Sequence, residues 1–419
     1  MMSFHTQCET SHAAASLRQR GGTGMVFNVK ALLACLACFA FEARADWPNF
    51  RGPRFDGVSD ASGLVTQSSE PLKFVWERGI GSAFSSFAAV GDRVYTAGEE
   101  KGEQTLLCLD ASTGAVIWSK SFEKQFRNEF GDGSRATPTV NDGRVYMQGA
   151  HGKLVCVEAA TGRDVWSHQF NHVPTWGYSG SVLIEGDLAV ASGGDDDGAL
   201  VAFDKATGKM VWKIGEDPAG YSTPYPFEFN GKRYIVGFTG KSAIIVEAKS
   251  GRLVWREEWQ TDWQVNAAMP IFHDGHLFLS SGYRTGAALY RMKADGDKLT
   301  GEEVWRSKVL LNKFQSSILH DGHLYTSDEK ALKCVEFLTG REMWKVPRIQ
   351  NGTIVLAEGH LYLLTEDGEL QIAKADPEKY EPTTKAAVST KLCWSVPVIH
   401  QGRMYLRNLE TVKCFDLRK

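Results

Sequence analysis

The 419-residue chain lacks an excess of charge of either sign, and it lacks long apolar runs. Its formal net charge is −3, so we do not expect a protein that holds nucleic acid on a basic face. Its mean hydropathy is −0.26, which is not that of a protein with several membrane-spanning helices. With these two classes excluded, the composition favours a soluble globular protein with a large core.

Several catalytic motifs are also missing from the sequence. It has no Gly-x-Ser-x-Gly elbow, no phosphate-binding loop and no zinc-protease helix motif. No segment keeps a sustained apolar period of about 3.6 residues, so we expect little helix. Two His-Asp-Gly-His turns, at 273–276 and 320–323, and the carboxylate-rich loop 193–198 are predicted to be solvated rather than metal sites.

Residues 1–45 have the pattern of a secretory signal peptide. Lys30 precedes the apolar run 31–41, and Ala43-Arg44-Ala45 is a small-x-small cleavage site. The mature chain is therefore predicted to begin after Ala45 and to be periplasmic or secreted. Two alternatives stay open, namely a start at Met25 that makes 1–24 an extension, and lipidation of Cys35.

Cysteine is sparse once this segment is set aside. Cys35-x-x-Cys38 lies inside the predicted signal, and the five cysteines that follow it are an odd number, which does not favour a full disulfide framework. Four of them lie in apolar, strand-like runs, so they are interpreted as small buried hydrophobes. The five are Cys108, Cys156, Cys334, Cys393 and Cys414.

Glycine and tryptophan, by contrast, are plentiful and periodic. The pattern Ser/Thr-Gly-x-x-x-Trp occurs six times, ending at Trp118, Trp166, Trp212, Trp255, Trp305 and Trp344. A glycine-centred turn between two apolar runs occurs eight times, about every 44 residues, at Gly91, Gly143, Gly186, Gly231, Gly275, Gly322, Gly359 and Gly402. Each unit contains four short strand-like runs, the architecture of a propeller blade.

The two chain ends decide the predicted blade count. The last glycine turn is followed by the run 411–417 with no outer strand, whereas the run 73–79 resembles an outer strand with no inner strands before it. If these two runs pair with each other, they complete one blade. We therefore predict an all-β, eight-bladed β-propeller over residues 73–419, closed by its N-terminal strand, with 46–72 as an entry segment. Only the segment 377–391 is irregular, where blade seven has lost its tryptophan.

The repeat resembles the tryptophan-docking repeat of the quinoprotein-like propellers named for pyrroloquinoline quinone (PQQ). The clearest copies run from Cys108 to Trp118 and from Ala202 to Trp212, and the entry segment beginning Trp47-Pro-Asn-Phe-Arg51 is similar to that of exported bacterial members. The resemblance implies that the tryptophans stack on neighbouring blades. The superfamily includes PQQ alcohol dehydrogenases and a non-catalytic propeller lipoprotein of the outer-membrane assembly machinery.

The resemblance leaves two functions open. The chain has no Cys-Cys pair and no Cys-x-x-Cys-His haem motif, both of which recur in quinoprotein alcohol dehydrogenases. We therefore expect a monomeric, non-catalytic binding or scaffold module, with protein partners on face loops that include 122–135 and 170–180. The alternative is a dehydrogenase dependent on PQQ and Ca²⁺ that oxidises an alcohol, polymeric alcohols included.

A ligand would bind in the axial funnel, where the chain enters each innermost strand. Cationic side chains there suit an anion, aromatic rings suit a planar ligand, and amide oxygens suit a cation. This combination fits PQQ with Ca²⁺, although a water-filled funnel would have the same lining. The candidate residues are Arg135, Thr137, Tyr178, Tyr221, Trp263, Asn266, Lys313, Gln315, Asn351 and Trp394.

Overall fold

The computed structural model describes residues 46–390 and 392–419. The predicted signal peptide lies outside these residues. The described chain is built of short strands, with two single-turn 3₁₀ helices at Asp195–Asp197 and Asp262–Gln264. Within the described residues, no helix is long and apolar enough to cross a membrane.

The strands form eight sheets, as predicted, and each contains four antiparallel strands; the sheet of blade 7 has a parallel fifth strand, Val58–Ser59, in addition. Blades 1 to 4 comprise Ala88–Val90, Arg93–Glu100, Glu103–Asp110 and Val116–Lys124; Thr139–Asn141, Arg144–Gln148, Lys153–Glu158 and Asp164–Gln169; Leu183–Glu185, Leu188–Ala191, Leu200–Asp204 and Met210–Ile214; and Tyr225–Phe229, Lys232–Phe238, Ser242–Glu247 and Leu253–Glu258. Blades 5 and 6 comprise Ile271–His273, His276–Ser281, Gly286–Asp295 and Lys298–Ser307; and Ile318–His320, His323–Ser327, Ala331–Glu336 and Glu342–Pro347. Blades 7 and 8 comprise Thr353–Ala357, His360–Leu364, Glu369–Lys374 and Pro382–Ala387; and Val398–His400, Arg403–Arg407, Thr411–Asp416 and Lys73–Gly79.

The inner hairpins turn at the glycines that mark the repeat. In blade 2, Asp142 and Gly143 have φ of 47° and 71°. A two-residue hairpin that matches the strand twist needs positive φ at both central positions, which Asp-Gly supplies at low cost. The same local chemistry therefore recurs around the ring.

Every outer strand contains a β-bulge, and in seven blades a tryptophan follows the bulged residue directly. The bulge aims this side chain at the next blade: Trp166 of blade 2 donates from Nε1 to the carbonyl of Lys205 in blade 3 at 3.0 Å. Its ring lies against Gly208, where a Cβ would come within 2.6 Å. The tryptophans therefore dock blades onto one another, as the repeat predicted.

Blade 7 departs from this pattern. Its outer strand, Pro382–Ala387, is present and has the same bulge as the other outer strands, so only part of the segment 377–391 is irregular. Thr384 follows the bulge where the other blades have tryptophan. Its hydroxyl accepts from the backbone N–H of Ser68 at 2.8 Å, so a hydrogen bond to the entry segment replaces the aromatic contact.

The ring closes in blade 8 as predicted. Lys73–Gly79 pairs antiparallel with Thr411–Asp416, and Trp76 donates to the carbonyl of Ala111 in blade 1 at 3.2 Å. Arg407 lies fully buried between blades 8 and 1, and it donates to the carbonyl of Ala97 at 2.7 Å. The two ends of the chain are thus fastened both to each other and to the first blade.

The core consists of apolar clusters between neighbouring blades. One cluster, for example, joins Tyr146 and Cys156 of blade 2 to Ala189 and Phe203 of blade 3. All five cysteines after the predicted signal lie buried. Burial raises the pKa of the Cys108 and Cys156 thiols to about 11, which suits inert core positions.

Candidate functional site

Hydroxyl groups just before the innermost strands bond one blade to the next. Thr137 of blade 2 accepts from the N–H of Ser86 at 3.2 Å, and its own N–H donates to the hydroxyl of Ser181 in blade 3 at 2.9 Å. Ser181 donates from its N–H to Thr223 in blade 4 at 2.9 Å. Ser395, just before blade 8, donates from its hydroxyl to the carbonyl of Phe84, just before blade 1, at 2.8 Å. These hydroxyls therefore link blades 8, 1, 2, 3 and 4 in order.

Asp46–Ser59, which we call the entry strap, runs along the innermost strands of several blades. Trp47 pairs with Ala89 of blade 1, and the Pro48 carbonyl accepts from Val140 of blade 2 at 2.7 Å. Further along, Val58 and Ser59 add a parallel fifth strand to the axial edge of blade 7. The strap therefore ties together inner strands that are far apart in sequence.

Arg51 anchors the middle of this strap. Its guanidinium donates to the carbonyls of Ser316 at 3.1 Å and Ser317 at 2.6 Å, both at the entrance to blade 6. Burial lowers the pKa of Arg51 to about 10, because the charged form has lost its water. Carbonyl dipoles replace that water.

An axial cavity of about 670 Å³ is lined in part by the hydroxyl-bearing residues that link the blades, Thr137 and Ser395 among them, and we call it the funnel. Phe50 of the strap lines it, together with side chains from the loops that enter the blades. Six of the ten candidate residues line the funnel, namely Arg135, Thr137, Tyr221, Trp263, Lys313 and Trp394.

The other four candidates do not line the funnel, and two of them, Tyr178 and Asn266, use their polar groups in hydrogen bonds within the wall. Tyr178 is buried, and its hydroxyl donates to the carbonyl of His172 at 2.8 Å. Asn266 is also buried, and its amide donates to the carbonyls of Thr239 at 2.7 Å and Trp259 at 2.9 Å. Neither side chain presents a free polar atom to the funnel.

Gln315 and Asn351 also lie outside the funnel lining, and the Gln315 Nε2 and Asn351 Oδ1 atoms are buried without a hydrogen-bond partner among the described residues. Gln315 is buried, and its side-chain oxygen accepts from the N–H of Phe314 at 3.4 Å. Asn351 donates from its amide to Glu366 at 3.2 Å. Glu366 in turn accepts from the indole of Trp394 at 2.7 Å, so this carboxylate orients a funnel tryptophan.

The lining contains more aromatic rings than the sequence analysis selected. On one side, Trp394 stacks on Phe84 with ring centroids 5.4 Å apart and contacts Phe314 at 4.9 Å. Opposite, Trp176 lies 5.9 Å from Tyr221 and 6.2 Å from Trp263. The additional aromatic lining residues are Phe50, Phe84, Phe130, Trp176, Tyr283 and Phe314.

Two of these six had a signal in the sequence, since Phe130 and Trp176 lie in the loops 122–135 and 170–180 that were predicted to meet partners. Phe314 lies between Lys313 and Gln315, both of which were selected for the funnel, but nothing in the sequence distinguished Phe314 or Phe84 from core aromatics. Phe50 had no signal at all, because only the path of the strap brings it to the axis.

The funnel contains two cations set among these rings. The Arg135 guanidinium carbon lies 4.6 Å from the centre of the Phe126 ring and 5.4 Å from that of Phe84. Burial lowers the pKa of Arg135 to about 10. The Lys313 ammonium lies 5.5 Å from the centre of the Tyr283 ring. Neither cation forms an ion pair within residues 46–390 and 392–419, and the one carboxylate lining the funnel is that of Glu129.

The funnel lining offers few carboxylate ligands for a calcium–quinone centre. Such a centre needs oxygen ligands for Ca²⁺ and a catalytic carboxylate beside the quinone. In the described part of the chain, no group of three or more His, Cys, Asp or Glu side chains could hold a metal ion. Glu366 is already bonded to Trp394, which leaves Glu129 as the carboxylate that lines the funnel. The cations and rings alone would suit a planar anion.

The patterns predicted to be solvated are engaged in local hydrogen bonds. The Nδ1 atoms of His276 and His323 contact the carbonyls of Asp274 and Asp321 within their own turns, at 2.7 and 2.8 Å. In the loop 193–198, Asp197 accepts from the amide of Asn171 at 2.8 Å. This loop therefore braces the neighbouring loop 170–180.

Comparison with known proteins agrees with the propeller architecture. The family model described as outer membrane protein assembly factor BamB matches residues 68–215 and 291–379, which is more than half of the chain. The chain belongs to this family of PQQ-like propellers. No curated protein sequence matches it.

Solved structures with the same fold include both kinds of relative. BamB from Moraxella catarrhalis is 14% identical, with a TM-score of 0.62 over 82% of this chain and 99% of that one. Quinohemoprotein alcohol dehydrogenase from Comamonas testosteroni is 12% identical, with a TM-score of 0.65 over 89% and 80%. A europium-containing methanol dehydrogenase is 12% identical, with a TM-score of 0.62 over 88% and 90%. At such identities the likeness shows the fold alone, and this fold occurs in both BamB and the two dehydrogenases.

Proposed function

We propose that the protein is an exported, non-catalytic binding module that takes a protein partner on the face where the funnel opens. The observation that carries this proposal is the funnel itself, which is rich in aromatic rings and cations but poor in the carboxylates that a metal-assisted oxidation needs. Tyrosine, tryptophan and arginine are the side chains that dominate the binding energy of protein interfaces.

The loops around the funnel support a role in binding. Phe130 is 49% exposed and Val173 is 38% exposed, and they lie in the two loops that the sequence analysis assigned to partners. Exposed apolar side chains next to a cavity are typical of interaction surfaces. The basic and apolar features of residues 1–45 support export, and the match to the BamB family model is in keeping with a periplasmic or secreted location.

The alternative is a PQQ- and Ca²⁺-dependent alcohol dehydrogenase, and the observation that favours it is the pair Arg135 and Lys313 beside stacked rings. The test is to add PQQ and Ca²⁺ to the purified protein, remove the excess, and measure the retained quinone absorbance and dye-linked alcohol oxidation. We expect no stoichiometric retention at micromolar PQQ and no turnover.

The double variant Arg135→Met, Lys313→Met is the control for non-specific adsorption of the quinone. Stoichiometric retention that the double variant abolishes, together with alcohol turnover, would overturn the non-catalytic proposal.

A further inference from the structure

The mouth of the funnel is bordered by three exposed or half-exposed aromatic residues, Phe130, Trp176 and Trp263, which we call the rim. Trp263 is 69% exposed, and its ring meets that of Trp176 edge to face. Its backbone φ is 65°, and that of the following Gln264 is 61°. Left-handed conformations of large side chains cost free energy and tend to persist at binding sites. Here this backbone presents a tryptophan to solvent.

Inside the rim, the funnel has few neutral polar groups to offer. The hydroxyls of Ser86, Thr137, Thr223 and Ser395 are already used in bonds between blades. What remains is mainly a set of ring faces and the two cations Arg135 and Lys313, which outnumber the single carboxylate of Glu129. The Arg135 guanidinium also donates to the carbonyls of Gly131, at 2.9 Å, and Gly133. An occupant is therefore recognised by stacking and by negative charge rather than by a network of neutral hydrogen bonds.

The exposed aromatic residues of the rim indicate how large the occupant of the funnel is. A small ligand held inside the funnel would leave Trp263 and Phe130, on the outer side of the mouth, still in contact with water. Protein interfaces bury such aromatic side chains at their centre and surround them with a polar margin. The exposed rim therefore favours an occupant that extends from the funnel over the face.

We propose that the funnel and rim bind an acidic polypeptide segment, with an aromatic side chain inserted among the funnel rings and carboxylates facing Arg135 and Lys313. This inference rests on the proposed function and names the chemistry of its partner. Opposite charge speeds the encounter and selects the partner, while the buried ring supplies most of the affinity.

The experiment uses short synthetic peptides that contain phenylalanine but no tryptophan, so that the fluorescence of Trp176, Trp263 and Trp394 reports binding. One peptide has aspartate and glutamate around the phenylalanine, a second has lysine in their place, and a third keeps the acids but has alanine for phenylalanine. We expect the acidic aromatic peptide to bind at least about tenfold more tightly than either of the others, equivalent to ~1.4 kcal/mol. Added salt should weaken its binding, because the cations are reached by solvent ions.

Variants of the protein locate the contact. Lys313→Met and Trp263→Ala should each weaken binding of the acidic aromatic peptide about tenfold, again equivalent to ~1.4 kcal/mol. Lys249→Met, on an exposed turn of blade 4, and Phe74→Ala, which is 54% exposed on the outer strand of blade 8, remove the same kinds of group elsewhere and should leave it unchanged. Circular dichroism and thermal unfolding show whether each variant is folded.

Two results would overturn the inference. One is equal affinity for the acidic and the lysine-containing peptides. The other is a small aromatic anion, such as a naphthalene sulfonate dye, that binds as tightly as the peptide and is unaffected by Trp263→Ala, because the occupant would then be a small molecule within the funnel. Retention of PQQ with turnover would refute the proposed function by a separate measurement, so the two failures are distinguishable.

Discussion

Two glycines of blade 3 allow the docking of one blade on the next to be measured. Gly208 lies in the turn before the outer strand at φ 72°, and a Cβ there would lie 2.6 Å from the Trp166 ring of blade 2. Gly186 lies in the inner hairpin of the same blade at φ 58°, and a Cβ there would meet nothing within 4 Å. Alanine strains the backbone at both positions, but only at Gly208 does it collide with a neighbouring blade.

The expected losses of stability differ accordingly. Holding an alanine in the left-handed region costs ~1–2 kcal/mol, which is the whole cost expected for Gly186→Ala. Forcing an extra carbon into a packed contact adds ~1–3 kcal/mol, so Gly208→Ala should lose ~2–5 kcal/mol in total. The difference between the two variants measures how closely Trp166 approaches the turn.

Urea unfolding followed by tryptophan fluorescence tests this prediction, with the comparison made between variants of equal m-value. The background Trp166→Leu removes the ring, so in that background the difference between the two alanine variants should shrink towards zero. The reasoning fails if Gly208→Ala costs no more than Gly186→Ala, or if the difference survives the loss of the ring.

Two further predictions concern buried charges. Lys333→Met should lower the free energy of unfolding by ~3–5 kcal/mol, because it removes the ammonium that lies 2.7 Å from the fully buried Asp328 carboxylate. Adding Asp328→Asn to this variant should recover part of the loss, as measured by thermal unfolding. Unchanged stability of the single variant would contradict this prediction. Hydrogen bonds from Arg418, and from Lys73 across the ring closure, hold the pKa of Asp416 below its usual value. The stabilisation from these bonds is therefore fully present above the ordinary aspartate pKa of about 3.9, and it is lost as the pH falls through the lower pKa of the folded state. Asp416→Asn should therefore flatten the loss of Tm between about pH 5 and pH 3, and an unchanged slope would refute it.

Much of the fold could be predicted from the sequence because the interactions that define it are local and repeated. The Asp142-Gly143 hairpin and the four-residue spacing from Gly208 to Trp212 each lie within one blade, so their signals recur at a constant interval. The ring closure was also predictable. The N-terminal run resembles an outer strand without a blade, and the C-terminal hairpin lacks an outer strand, so pairing the two completes the last blade. The outer strand of blade 7 was obscured because Thr384 takes the place of the tryptophan.

Less of the candidate site could be predicted, because its residues converge through contacts between distant parts of the chain. Tyr178 and Asn266 lie at the expected point of their blades, but they bond within the wall. Which neighbour of a funnel residue faces the axis depends on the exact path of each entering loop, and this separates Phe314, which lines the funnel, from Gln315, which does not. No repeat marks Phe50, since the entry strap occurs once.

The entry strap also links the funnel to the integrity of the ring. Phe50 lines the funnel, and the adjacent Arg51 bonds to carbonyls at the entrance to blade 6, 265 and 266 residues further along the chain. An occupant that stacks on Phe50 and on Trp394 of blade 8 therefore contacts both the strap and the closing blade. Because such an occupant binds only the closed ring, it stabilises that ring by mass action. In the complex that we propose, the aromatic lining therefore serves both as the recognition surface and as a packing surface that the bound partner completes.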